Sequence, residues 1–150
     1  MIEHGAEQAI HAAACDEMLV NDELRREVEA GRGIVGDRYH GTKHRHVTVQ
    51  SQEALDEAAE VYGRPVPVEL TRRNVTVSGG AVPRTPGARL RLGPVLLEVV
   101  RVAAPCKLLD DTIGVGAQEA LRRRAGSVCR VLEGGELELG AAYAVEHDPA

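Results

Sequence analysis

The 150-residue sequence has no phenylalanine, no tryptophan and only three tyrosines. Val, Leu, Ile and Ala must therefore fill any core, and the rings on which unpaired bases stack in single-strand nucleic-acid binders are missing. Cysteine is scarce too. Cys15, Cys106 and Cys129 are odd in number and widely spaced, with no C-x-x-C pair, which argues against a disulfide-held chain. No apolar run approaches the roughly 20 residues that a membrane helix requires. The opening "MIEHGAEQAIHAAACDE" lacks the basic stretch followed by an apolar stretch that marks a secretory signal. A soluble, reduced, cytoplasmic protein is the expectation. Excess basic charge is also absent: the net charge of −5 excludes a general nucleic-acid binder, which needs a dominant basic surface to displace counterions.

The acidic excess is unevenly spread. Residues 1–30 hold eight acidic side chains against Arg25 and Arg26, whereas residues 32–107 hold twelve Lys/Arg against seven Asp/Glu. A locally cationic middle can focus a small anion such as a phosphate, although arginines scattered over a solvated face give the same count. The length is that of one ordinary domain, large enough to bury a core without staples.

Patterning divides the chain in two. Residues 1–30, rich in Ala, Glu and Leu, predict a helical N-terminal extension whose second helix, Glu23 to Ala30, is capped by Asn21 or Asp22 and ended by Gly31. Residues 31–46 are rich in glycine and read as loop, and His46 to Gln50 alternates as a strand does. Ser51 is placed to cap a helix over Gln52 to Tyr62, with Gly63 as its terminator. Beyond it, "VPVEL", "NVTVS", "ARLRL", "VLLEVVRV", "SVCRVLE", "ELELG" and "AYAVE" read as short strands between Gly- and Pro-rich turns. A second helix is expected over Ala117 to Ala125, with Gly126 after it. The fold expectation is a mainly β, barrel-like domain over residues 31–150, with a helical N-terminal segment and two peripheral helices.

The stretch "VAAPCKLLDD" (Val102 to Asp111) carries the chemistry. Proline has no N–H for a ladder, so the strand ends before Pro105 and Cys106 is expected on a rim, where the neighbouring Lys107 favours its thiolate. The alternative is a buried cysteine acting as a small apolar side chain. Cys129, in a strand, and Cys15 read as packing. His40, His44 and His46, spaced H-x₃-H-x-H, could hold zinc only through loop geometry; a solvated loop is the favoured reading. The run Arg122 to Arg124 near a helix C-terminus suits the helix dipole.

Together "GRGIVGDRYHG", "RRNVTVSGG", "APCKL" and "GSVCRVLEGGELELG" resemble the MOSC domain family, named for the C-terminal region of molybdenum cofactor sulfurase. The resemblance runs from about Val28 to Glu146. It implies a barrel-like β fold and a cysteine, matching Cys106, that carries sulfur or ligates the molybdenum of a pterin cofactor. Arg38 would grip an anionic group or pair with Asp37. Arg73 and Asn74 would meet an anion or a pterin edge. Ser78 and Gly79 would form an anion-binding concavity or only a tight turn, and His40 would be a donor or acid beside the ligand. Implied partners are a small anionic cofactor and a cysteine desulfurase or an electron-donor protein, with no nucleic acid and no membrane. Larger relatives carry a PLP-dependent domain, so no PLP is expected in this chain. Three functions follow: a molybdenum-cofactor protein that reduces N-hydroxylated compounds, a persulfide carrier, or a noncatalytic small-molecule-binding barrel.

Overall fold

The computed structural model describes residues 10–12, 25–35, 41–42, 46–67, 70–71, 74–78, 81–105, 107–138 and 143–149. In chain order their strands are β1 (Ile10–Ala12), β2 (Arg25–Glu29), β3 (Gly33–Ile34), β4 (Val47–Ser51), β5 (Val75–Val77), β6 (Arg89–Leu92), β7 (Val95–Val102), β8 (Ser127–Glu133), β9 (Gly135–Glu138) and β10 (Tyr143–His147). The helices are α1 (Gln52–Tyr62), α2 (Leu108–Thr112) and α3 (Ala117–Ala120). A seven-stranded sheet runs β1-β5-β4-β8-β7-β6-β10, and a three-stranded sheet runs β3-β2-β9. Only the β4–β5 pair is parallel among the described ladders. That pair is the one joined through α1, as a parallel neighbour needs a long crossover.

Both sheets close on one core. Val28, Ile34 and Leu137 of the small sheet pack with Val49, Val77, Leu90, Leu97, Cys129 and Val131 of the large one. Every residue of β4 is buried, as expected of a central strand covered on both faces rather than on one. The β7–β8 ladder shifts register twice, between Leu96 and Leu97 and between Val99 and Arg101. Such bulges bend and twist a strand pair, which curls the large sheet into a half-barrel. A second, smaller core holds the helices: Leu55 and Ala58 of α1 meet Leu109, Ala117, Ala120 and Leu121. At the start of α1, Ser51 Oγ accepts from the Ala54 N–H at 3.0 Å, and Gly63 closes it at φ 82°, both as the sequence predicts. No helix among the described residues is long and apolar enough to cross a membrane.

Three expectations require correction. The N-terminal segment is not helical where it is described: Ile10–Ala12 pairs with β5, and Arg25–Glu29 pairs with both β3 and β9. Ladder bonds on two sides of β2 outweigh the helix propensity of its Ala- and Glu-rich surroundings, because propensity is a weak term beside tertiary pairing. "VPVEL" forms no strand in its described part, Val66, Pro67 and Leu70; proline at 65 and 67 removes two ladder donors. The helix expected over Ala117 to Ala125 stops at Ala120 and continues as turns.

Candidate functional site

β7 stops at Val102, ahead of Pro105. From there the chain is pinned to its neighbours: the Ala103 N–H donates to the Gly126 carbonyl at 2.8 Å, and Gln118 Nε2 donates to the Pro105 carbonyl at 3.3 Å. Gln118 is itself fixed through its own N–H to Asp110 Oδ1 at 2.9 Å. Ala104 and Lys107 are exposed, so the chain reaches solvent on both sides of position 106. A rim at the end of the longest apolar strand is what Pro105 led one to expect.

A cleft runs along this rim. A cavity of about 510 Å³ is walled by Pro105, Asp110, Gln118 and Arg122. It adjoins a pocket of about 170 Å³ between Pro105 and Gly126, rimmed by Arg84, Arg122 and Arg123. That pocket shares Arg84, Arg123 and Gly126 with a cavity of about 430 Å³ bounded by Ser51 and Glu57 of the α1 end. Long-range bonds hold the walls. Ser127 Oγ donates to the Pro83 carbonyl at 2.7 Å, and the Tyr143 hydroxyl donates to the Ala81 carbonyl at 2.7 Å, tying the segment ahead of β6 to β8 and β10. Opposite it, Arg123 has φ 65°, the one positive value at a non-glycine among the described residues. Its carbonyl accepts from Arg84 Nη1 at 3.4 Å. A left-handed arginine costs on the order of 1–3 kcal/mol and persists only where its surroundings impose it.

Of the residues singled out from the sequence, Arg38, His40, Arg73, Gly79 and Cys106, with His44 and Cys15, lie outside the described residues. Of the residues expected beside a cofactor, Asn74, Ser78 and Lys107 are described. Asn74 is buried, and its Oδ1 accepts from the Thr48 N–H at 2.9 Å and the Thr48 hydroxyl at 3.1 Å. Its backbone N–H donates to Thr48 Oγ1 at 2.9 Å, so this side chain stitches β4 to the start of β5. Ser78 is half-buried directly after β5, and Lys107 is exposed at the start of α2. None of the three lines the cleft. The residues that do, Arg84, Arg122 and Arg123, were passed over or assigned to a helix dipole. The dipole reading survives in part: Arg124 Nη1 donates to the Ala120 carbonyl at 3.2 Å, the end of α3.

His46 departs from the solvated-loop reading. It is 3% exposed, its Nδ1 accepts from the Val131 N–H at 3.0 Å, and its Nε2 donates to the Thr42 carbonyl at 2.8 Å. These partners assign the neutral Nε2–H tautomer and occupy both nitrogens, so His46 has no lone pair for a metal. Among the described residues no group of three or more His, Cys, Asp and Glu could hold a metal ion. His46→Ala should cost about 2–4 kcal/mol, because it leaves a core N–H unpaired and opens a void. Urea midpoints check this, and zinc should leave the wild-type midpoint unchanged.

Cys129 is fully buried in β8, as its place in a strand suggested, and burial pushes its thiol up to about 12. It is core and not a nucleophile.

Solved structures share this architecture. The YuaD protein from Bacillus subtilis superposes with a TM-score of 0.78 at 21% identity, covering 92% of this chain and 95% of that one. YiiM from Escherichia coli superposes with a TM-score of 0.69 at 15% identity, over 93% and 69%. YiiM from Geobacillus stearothermophilus does so at 0.59 and 24%, over 67% and 54%. At these identities the likeness establishes the fold. No curated protein matches significantly. The MOSC domain model matches residues 36–144, most of the chain, and takes in the Gly-Asp-Arg and Pro-Cys motifs and the closing strands that suggested it. The chain therefore belongs to the MOSC domain family.

Proposed function

We propose that this chain binds a molybdenum–pterin cofactor, with the Cys106 thiolate as metal ligand and Arg38 and Arg73 on the anionic part. The family's association with molybdenum-cofactor chemistry supports this reading. The observation that carries it is the cleft beside Pro105. Its cavity beside Asp110 and Gln118, about 510 Å³, falls in the range of small-molecule sites, about 300–1,000 Å³. Its wall at Asp110 and Gln118 offers acceptors and an amide suited to the hydrogen-bonding edge of a pterin. The described donor set fits.

When bound, such a cofactor supplies a two-electron metal centre with an affinity for sulfur. The chain's own part is preorganisation. The Gln118–Pro105 bond and its Asp110 support hold the backbone as far as Pro105, the residue ahead of the proposed ligand. A thiolate suits a soft metal where hydroxyl or imidazole does not. The accompanying proposals are a cytoplasmic setting and an electron-donor protein.

Molybdenum and pterin are to be quantified in protein purified from a host that makes the cofactor, comparing wild type with Cys106→Ser. Wild type should retain both, and the variant should retain at least about tenfold less metal, since even second-shell losses cost 10–100-fold. Metal-free wild-type protein that gains a sulfane sulfur on Cys106 from a cysteine desulfurase would replace this reading with the persulfide carrier. Protein that gains neither would leave a noncatalytic barrel.

A further inference from the structure

We propose that the 170 Å³ pocket between Pro105 and Gly126 is an oxyanion site, in which Arg84, Arg122 and Arg123 hold a phosphate-sized group that is not part of the pterin cofactor. The pocket has a charge pattern unlike its neighbours. The 430 Å³ cavity carries Glu53 and Glu57, and the 510 Å³ cavity carries Asp110 and Glu119. No carboxylate lines the pocket between them: its apolar side is Val102, Ala103, Ala104 and Pro105, and the charged residues that line it are Arg84, Arg122 and Arg123.

Arg84 and Arg123 come together from segments 39 residues apart, and the bonds described for Arg84 and Arg122 leave capacity for a ligand. Among the described residues Arg84 makes a single long bond, at 3.4 Å, to the Arg123 carbonyl, leaving most of its five donors unspent. Arg122 is paired with Glu119 at 3.4 Å, but both side chains are largely exposed, at 70% and 76%, and such a pair is worth little. Arg124 is already engaged by Glu57 at 3.2 Å and by the end of α3, and it does not line the pocket. Three like charges beside apolar residues repel one another, and an oxyanion turns that repulsion into paired, charge-assisted bonds.

Size separates the pocket from the cofactor. A volume of about 170 Å³ lies below the about 300–1,000 Å³ of small-molecule sites, so it admits a tetrahedral oxyanion and not a whole molybdenum–pterin cofactor. It shares Ala104, Pro105 and Arg122 with the 510 Å³ cavity, and Arg84, Arg123 and Gly126 with the 430 Å³ cavity, whose lining includes neither Asp110 nor Gln118. The ligand is thus either a free inorganic oxyanion or the phosphate end of a small organic phosphoester whose remainder occupies that cavity.

Calorimetric titration at low ionic strength with inorganic phosphate, and separately with glycerol 3-phosphate, tests this. Wild type should bind phosphate, less tightly as salt rises. Arg84→Gln and Arg123→Gln should each weaken binding about tenfold, the scale of one lost charged hydrogen bond. Arg84→Lys, a point charge without the fork, should fall between. Arg130→Gln, on the outer face of β8 and paired with Glu98, should bind as wild type does. Tighter binding of the ester assigns the adjoining cavity to its organic part; equal or weaker binding names the free ion, and either result upholds the pocket. Should Arg123→Gln fail to fold, Arg84→Gln decides alone. Three results would overturn the proposal: no phosphate binding by wild type, undiminished binding in the Arg84→Gln/Arg123→Gln protein, or loss of molybdenum from that protein to the level of Cys106→Ser, which would make these arginines part of the cofactor's own grip.

Discussion

Gly126→Ala should destabilise the fold by at least about 4 kcal/mol, a size reserved for a few identifiable mechanisms. Gly126 sits at φ 90°, and a Cβ there would lie 2.0 Å from the Val49 carbonyl oxygen, 2.9 Å from Gln50 Cα and 2.9 Å from the Val49 carbonyl carbon. All three are main-chain atoms of β4, a central strand with every residue buried, so no side-chain rotation relieves the overlap. The carbonyl of Gly126 also accepts from the Ala103 N–H, and Gly126 lines two cavities of the cleft. Any shift that relieves the clash therefore moves the backbone leading to Pro105. Gly63→Ala is the control. Its φ is 82°, yet nothing lies within 4 Å of the added carbon, so it reports the conformational penalty alone, about 1 kcal/mol. Urea midpoints of the two variants separate steric overlap from backbone strain. A Gly126→Ala protein within about 1 kcal/mol of the Gly63→Ala protein would mean that β4 and the cleft edge are less tightly apposed than described.

What could be read in the sequence follows the range of the interaction that decides each element. β7 and β8 match their expected runs, Val95–Val102 and Ser127–Glu133, because a continuous apolar run bounded by Gly and Pro is a local signal. So are the serine cap and glycine terminator of α1. β2 was misread because β3 supplies only two nearby partners, whereas most of its ladder is made more than a hundred residues away in β9. No nearby residue could reveal them. The same distinction governs the site. The Pro105 rim was legible, since a proline after a long apolar strand stops the ladder wherever the strand lies. The convergence of Arg84 with Arg122 and Arg123 was not, because it depends on Tyr143 and Ser127 fastening the segment ahead of β6. In the sequence the only trace was the run Arg122 to Arg124, which a helix end accounts for equally well. His46 was misjudged for a similar reason: its Val131 partner lies 85 residues away.

Alkaline pH should weaken the fold through Cys129. Burial raises this thiol from 9.0 to about 12, so between those values the unfolded chain has released a proton that the folded chain keeps. Unfolding then releases a proton, and stability must fall as pH rises. The contribution is complete below pH 9 and declines by on the order of 1 kcal/mol per pH unit above it. Tyr143 adds to the slope above its ordinary 10.0, since burial first, and then the charges of Cys129 and Asp148, also raise its hydroxyl. Cys129→Val, close in volume and without a proton to lose, should remove the decline between pH 9 and 10 and leave the Tyr143 part above 10. Urea midpoints at pH 7.5, 9, 10 and 11 for the two proteins make the comparison, with every other titrating group common to both. The same burial predicts a kinetic contrast with a larger effect. At pH 8 a thiol near 12 is ionised to about one part in ten thousand, against about a tenth for a cysteine at its ordinary 9.0. Cys129 should therefore react with a disulfide reagent only through opening of the sheet. In a Cys15→Ser background the fast-reacting thiol is then Cys106, at least about a thousandfold ahead of Cys129. Two slow thiols would place Cys106 among packing cysteines and withdraw its role as a ligand, and rapid loss of Cys129 would contradict the closed β7–β8–β4 core.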